Sequence, residues 1–338
     1  MKKIKIAQIG TSEYSHGSSI FASLSRQSDI FDIVGYALPE QEREKFPAKV
    51  NVFENYREMT VEEILNDPEI EAVAVETEEI HLTKYALMVA KAGKHLHMEK
   101  PGGRSLSDFQ ALIDLLKTKK LTFTTGYMYR FNPKIKEALA RVKRGELGKI
   151  FSVEAHMSCR HPKEMREWLN VFPGGMTFFL GCHLIDLVYR IMGEPTEVIP
   201  LSCSTGIDGV NALDYGMAVF KYPNGISFIK TTDCEVGGFL RRQLVITGER
   251  GSIEICPLEY YPHLPESTMQ VTEMRECFDH AAWQAEWREC RSEEFDRYDA
   301  MMKNFAEIVR GKKNPYSYDY ELGLFKLLLK ACGEETNL

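Results

Sequence analysis

What most constrains the fold of this 338-residue chain is a change of rhythm near residue 125. Before it, short apolar runs alternate with helical stripes. "KIKIAQIG", "FDIVGYAL", "EAVAVET", "KHLHME" and "LTFTTGYMY" read as strands. "SSIFASLSRQ", "TVEEILND", "HLTKYALMVAKAG" and "SLSDFQALIDLLKTKK" read as helices, with Thr60 as a cap, Gly93 as a stop and Ser105–Asp108 in capping-box-like spacing. Strands joined through helices of this length require right-handed crossovers. Residues 1–125 therefore predict a doubly wound parallel sheet with both faces covered.

After "YRFNPKIKEALARVKRGELGKI" strands follow one another with few helices between them: "FSVEAHM", "TEVIPLSCS", "DYGMAVFKY", "GISFIKTTD", "RRQLVITG" and "GSIEIC". Asn224-Gly225 between two of them is a hairpin signal. Residues 126–338 predict an α+β domain on a large, mostly antiparallel open sheet. Its closing helices, about 293–311 and 318–333, are expected to pack back on the first domain.

Composition narrows the function. A net charge of −7 without a basic block excludes a nucleic-acid partner. No run approaches the roughly 18 apolar residues of a membrane span, and "MKKIKIAQIG" reads as a strand rather than a signal peptide. The eight cysteines are scattered without a C-x-x-C pair, as expected of free thiols in a reducing cytoplasm.

Ligands of parallel α/β sheets bind outside the carboxyl ends of the strands, which directs attention to three clusters. In the first turn, "IGTSEYSHGSS", a G-x-G-x-x-G fingerprint would fall on Gly10, Ser12 and Ser15, so one glycine of three is present. The turn is open to two readings, a dinucleotide site or a plain connection. At the end of the second strand, where an acid grips a ribose, stands Leu38, with Glu40 and Arg43 beyond it; Glu40 suits a ribose diol and Arg43 a 2′-phosphate. Glu76, Thr77 and Glu78 end the third strand, and Glu99, Lys100 and Pro101 end the fourth. A lysine there beside an oxidised nicotinamide has its pKa lowered by desolvation and like charge, and suits proton transfer from a substrate hydroxyl; the alternative is a solvated Glu–Lys pair. In "PGGMTFFLGCHLIDLVYRIMG", His183 opens an amphipathic helix with Asp186 on the same face, fit either to meet a ligand or to pack. His95-x-His97 has metal-compatible spacing but no third ligand, so no metal is expected.

Together these pieces resemble the Gfo/Idh/MocA family of NAD(P)-dependent oxidoreductases over nearly the whole chain. The resemblance is carried by "AGKHLHMEKP", "GYMYRFNPKIKEALARVKRGELGKIFSVEAHM", "GGMTFFLGCHLIDLVYRIMGEPTEV", "LVITGERGSIEI" and "NFAEIVRGKKNPYSYDYEL". It implies a Rossmann domain and a substrate domain whose open sheet is often covered in a homodimer or homotetramer. It implies that Lys100 lies between nicotinamide and substrate, often after a cis bond to Pro101, and that His183 is the acid/base or hydroxyl-holding histidine. The cofactor, NAD or NADP, would meet Gly10, Ser12, Ser15, Leu38, Glu40, Thr77, Glu78, His81, Glu99, Lys100, Pro101 and Arg130. The substrate would meet Tyr127, Asn132, Arg160, His161, Trp168 and Asp186, with Arg166 beside them. The arginines suit a carboxylated or phosphorylated sugar, or are surface charges beside a packed Trp168.

The sequence also departs from the pattern. Many relatives carry an aspartate four residues before the histidine; here it is Phe179. The usual Thr-Pro-Asn reads Thr77-Glu78-Glu79. The expected activity is hydride exchange between NAD(P) and a ring secondary alcohol of a sugar, sugar derivative or cyclitol, in the cytoplasm. The alternatives are a glycosidase or lyase acting through transient sugar oxidation, and a ligand-sensing regulator on the same scaffold.

Overall fold

The computed structural model describes residues 2–278 and 286–336. The chain forms two compact units, Met1–Met128 with Tyr298–Phe325, and Tyr129–Arg297 with Lys326–Asn337.

The first unit is built on five parallel strands, β1 (Ile4–Ile9), β2 (Phe31–Ala37), β3 (Ala72–Val75), β4 (His95–Met98) and β5 (Phe123–Thr125), in the order β2-β1-β3-β4-β5. Every residue of β3 is buried, as a central strand covered on both faces requires. The crossovers carry helices α1 (Gly17–Arg26), α2 (Glu42–Lys45), α3 (Val61–Asn66), α4 (Leu82–Lys91) and α5 (Leu106–Lys119). Local chemistry sets their starts. Thr60 and Glu63 exchange bonds with each other's backbone N–H at 3.1 and 2.7 Å, a complete capping box. Ser105 accepts from the Asp108 N–H at 3.2 Å. Tyr36 of β2 also makes an isolated parallel bridge to Glu58. The first apolar cluster, Phe21, Tyr36 and Phe53, also takes in Leu38. The run "LTFTTGYMY" is strand only over Phe123–Thr125; Gly126 makes the last bond to β4, donating to the Met98 carbonyl at 2.9 Å, and residues 128–131 then coil into a 3₁₀ turn.

The second unit holds an eight-stranded sheet. Its strands are β6 (Ile150–Ser158), β7 (Glu197–Pro200), β8 (Tyr215–Tyr222), β9 (Gly225–Thr232), β10 (Gln243–Gly248), β11 (Gly251–Ile255), β12 (Glu273–Cys277) and β13 (Arg288–Arg291). Their order is β13-β12-β11-β10-β6-β9-β8-β7, antiparallel throughout except for the β6–β9 pair. Helices α6 (Pro133–Lys143), α7 (Lys163–Trp168), α8 (Met176–Phe179) and α9 (Gly181–Met192) interrupt the strands. Alternate residues of β6, β8, β9 and β10 are buried, the period-two signature of a sheet packed on one face. The β8–β9 hairpin forms as expected, but its loop is Pro223-Asn224. Gly225 belongs to the strand, paired with Tyr222, and a Cβ there would stand 2.0 Å from the Phe151 carbonyl oxygen.

The chain closes with α10 (Asp299–Val309), which starts six residues later than its periodicity suggests, and α11 (Tyr318–Ala331). α10 is tied to α1 by Asp299, which accepts from Ser23 at 2.6 Å and pairs with Arg26 at 2.7 Å. Among the described residues no helix is long and apolar enough to cross a membrane.

Candidate active site

In the first unit the carboxyl ends of β1, β3 and β4 converge on one buried polar region. Gly10 ends β1 at φ +90°, where a Cβ would meet Thr77 Cγ2 at 2.3 Å, so both conformation and space demand glycine. Gln8 holds the turn from beneath, donating to the carbonyls of Gly10 and Gly17 at 2.9 and 3.0 Å. The two serines in the glycine positions bond reciprocally. Ser12 N–H donates to Ser15 Oγ at 3.1 Å, and Ser15 N–H to Ser12 Oγ at 2.9 Å. Ser15 Oγ also lies 3.3 Å from the Gly17 N–H and donates to the Glu76 carbonyl at 3.3 Å. Hydroxyl oxygens thus occupy the backbone N–H groups that phosphate oxygens use in such turns, and they rotate readily to donate instead. The N-cap residue of α1, His16, makes no side-chain cap bond, and the N–H of Gly17 is met by the rotatable Ser15 hydroxyl.

The end of β2 differs from the sequence expectation in one respect. Leu38 packs into the apolar cluster. Glu40 accepts from Lys84 and from the Tyr85 hydroxyl at 2.5 and 2.7 Å, which holds its pKa down at about 2. Arg43 is spent on Glu58 and the Tyr36 hydroxyl. The acid beside the first turn is Glu42, 1% exposed, which accepts from the Thr11 N–H at 3.1 Å. Its second oxygen is buried and makes no hydrogen bond among the described residues. Burial pushes its pKa up to about 9, against the backbone N–H groups of Thr11 and Glu78. Counting residues from the strand end misses Glu42, because Glu40 and Gln41 both turn left-handed (φ 58° and 61°) and fold the chain back.

Beyond β3 and β4 lie Glu76, Glu79, Glu99 and Lys100, each at most 1% exposed. The Lys100–Pro101 peptide is cis. Neither oxygen of Glu76 or of Glu79, nor Oε1 of Glu99, has a hydrogen-bond partner among the described residues. Burial and then Glu99 raise Glu76 well above the usual carboxylate range. Burial brings Glu79 and Glu99 to about 7, with Lys100 pulling both down. His97 on β4 accepts from or donates to Thr124 Oγ1 at 2.8 Å through Nδ1. Burial lowers its pKa to about 3, so its 3.7 Å approach to Glu76 is not an ion pair at neutral pH. His81 starts α4 without capping it, and Tyr127 is buried just past β5.

In the second unit the expected residues separate into two groups. His183, 1% exposed on the first turn of α9, packs edge-on against Tyr129 at 5.6 Å. The Tyr129 hydroxyl donates to Glu259 at 2.8 Å, and Glu259 also holds Arg242 and Arg297 at 3.2 and 2.6 Å. Arg130 and Asp186, expected on opposite ligands, are instead bonded to each other at 2.8–3.2 Å. Asn132 spends all its capacity on the fold. Its oxygen caps α6 at Lys134 and Ile135, and its amide donates to Leu258 O and Thr272 Oγ1. Arg166 pairs with Asp208 and lies 3.7 Å from Asp214. Trp168 meets Phe172 and Phe179 edge-on at 4.8 and 5.3 Å, so Phe179 serves an aromatic cluster. Arg160 is exposed and His161 partly so. The single candidate cation cluster among the described residues, Asp214, Asp233 and Cys234, already faces the Arg166 guanidinium.

A dinucleotide suits the first unit on structural grounds: a left-handed glycine, a helix start met by a rotatable hydroxyl, and a buried carboxyl with one oxygen left for a hydroxyl donor. Comparison with known proteins agrees. Residues 4–127 match a family model described as an oxidoreductase family with an NAD-binding Rossmann fold, and residues 135–254 match the GFO/IDH/MocA C-terminal domain. An uncharacterized oxidoreductase of Escherichia coli, YhhX, is 32% identical over 139 residues, spanning 41% of this chain and 40% of that relative. Myo-inositol 2-dehydrogenase of Thermotoga maritima is 24% identical across 72% of each chain. A solved levoglucosan dehydrogenase in complex with NADH and levoglucosan superimposes with a TM-score of 0.78 at 16% identity, covering 98% of both chains.

Proposed function

Because the chain belongs to the Gfo/Idh/MocA family of oxidoreductases, we propose that it exchanges hydride between NAD and a ring secondary alcohol of a sugar, sugar derivative or cyclitol. The observation that carries this reading is a buried lysine at the end of a parallel strand, set among carboxyl groups that titrate near neutrality. The substrate class is supported by the inositol and levoglucosan dehydrogenases to which the chain is similar.

Bound NAD supplies the hydride acceptor; the chain's own residues do the rest. Lys100 holds the reacting hydroxyl and moves its proton. His183, steadied by Tyr129, orients a sugar hydroxyl. Ser12 and Ser15 turn their hydroxyls to phosphate oxygens, and Glu42 accepts from the ribose diol. The Glu42 carboxyl, kept protonated by burial, offers no positive charge to a 2′-phosphate, which favours NAD over NADP. The reading places the protein in the cytoplasm as a homodimer or homotetramer joined through the open face of the second unit's sheet, a point for sedimentation analysis. The exposed Arg160 and the partly exposed His161 remain as candidates for substrate contact.

Calorimetry with NAD and NADP tests the cofactor assignment. Wild-type protein is expected to bind NAD at least about tenfold more tightly, and Glu42→Gln to narrow that ratio. Equal binding of both nucleotides by the wild type removes Glu42 from cofactor choice.

A further inference from the structure

Three buried carboxyl groups share the space around one buried ammonium at the ends of β3 and β4. Glu76 and Glu79 come from the segment after β3, Glu99 and Lys100 from the residues after β4. Ionised together they leave two uncompensated negative charges away from water, a cost of several kcal/mol per ion. Proteins avoid that cost by retaining protons. Among the described residues, the neighbouring elements bring the following groups. Gly17 of α1 brings only backbone, 3.1 Å from the Glu76 side chain if a Cβ is built there. Gly126, after β5, lies within 3.0 Å of Glu99 Oε2 by the same measure. β5 contributes Thr125, which donates to Glu321 of α11 at 3.1 Å, and α10 contributes Phe305 against His97 at 5.8 Å. His97 is a neutral imidazole with Nε2 unpartnered, 3.7 Å from Glu76. Glu78 is another charged neighbour, which raises Glu79 further.

We infer that Glu76, Glu79 and Glu99 form a proton-holding cluster for Lys100, which releases a proton when a cationic ring binds beside the lysine and regains one from the substrate. This rests on the dehydrogenase reading above. When positive charge arrives next to Lys100, the cheapest response of the cluster is to ionise one more carboxyl, and that proton leaves to solvent. During oxidation the hydroxyl proton passes to Lys100, and a lysine proton passes to the vacated carboxylate. The substrate carbon loses its hydride to the cofactor, so one proton and two electrons are accounted for. The overall reaction still yields one proton, but it appears on binding rather than with the chemistry. Glu76, Glu79 and Glu99 are positioning and proton-storing residues here, acting through Lys100.

The test is proton release on nucleotide binding, read by titration calorimetry at pH 7 in buffers of different ionisation enthalpy. The wild type is expected to release roughly half to one proton on binding NAD, and clearly less on binding NADH, whose ring is neutral. Glu79→Gln and Glu99→Gln each keep shape and neutrality, and each is expected to reduce the protons released per NAD bound by at least about half. A protonated-carboxyl band in the infrared difference spectrum is expected to vanish on NAD binding. Tight NAD binding without proton release, or with release unchanged in both variants, overturns the inference and leaves the dehydrogenase reading standing. Failure to bind either nucleotide overturns both.

Discussion

The two units differ in how they bury charge. In the second, most buried ions are matched: Arg130 with Asp186, Glu259 with Arg242 and Arg297, Arg166 with Asp214 and the exposed Asp208; Asp233 alone among its buried carboxylates in the described residues keeps an oxygen without a hydrogen bond. In the first, four buried carboxyls, Glu42, Glu76, Glu79 and Glu99, have oxygens without partners, and Lys100 is the buried ammonium among the last three. Lys94, the other buried lysine there, is held by the carbonyls of Asp67 and Ile70. Paired charge fixes a structure; unmatched charge costs stability and is retained where protons or ligands must come and go. The difference is the one that the proton chemistry proposed for the first unit requires.

Substitutions can break that contrast, and the largest effect belongs to Lys100. Lys100→Met is expected to keep the fold and NAD binding while lowering turnover by about 10²–10⁴-fold, the span of an acid–base group; steady-state rates beside a binding isotherm check it. Next comes the matched pair. Arg130→Ala strands the Asp186 carboxylate in the interior and is expected to cost about 3–5 kcal/mol in denaturant unfolding, whereas Arg130→Met with Asp186→Leu is expected to recover most of it.

Glu79→Gln reverses the sign. The folded carboxyl titrates near 7 and the unfolded one near 4.5. Between those values the native state binds more protons, so wild-type stability falls as pH rises through the window. The variant is expected to exceed wild type by about 2–3 kcal/mol at pH 8 and to match it near pH 4.5, in melts run at both. The smallest effect is expected away from either site, at the exposed capping box: Thr60→Ala costs about 1 kcal/mol.

How much of this was legible in the sequence follows from how local each feature is. The parallel and antiparallel halves were, because periodicity and crossover length fix them. So were the caps at Thr60 and Ser105, and the place of Glu99-Lys100-Pro101 at a strand end. Gly225 was recognised as a hairpin residue but not as a strand residue pressed against Phe151, since that contact joins distant segments. Asn132, Arg130 and Asp186 carried the right chemistry for a ligand, yet their partners lie 56 residues apart for the ion pair and up to 140 for the asparagine. Glu42 was hidden by two left-handed residues that no offset rule anticipates. That Glu76 and Glu79 are buried beside Lys100 depends on the parallel register Val75↔Met98, which brings the two strand ends level.

The most direct measurement is the appearance of reduced cofactor when the protein and NAD meet a panel of cyclitols, pyranoses and anhydrosugars. NADH is expected to form with at least one of them, in step with a ketone product, and to be nearly abolished in Lys100→Met. Firm NAD binding with no reduced cofactor from any member of the panel contradicts a dehydrogenase and leaves a nucleotide-binding regulator on this scaffold.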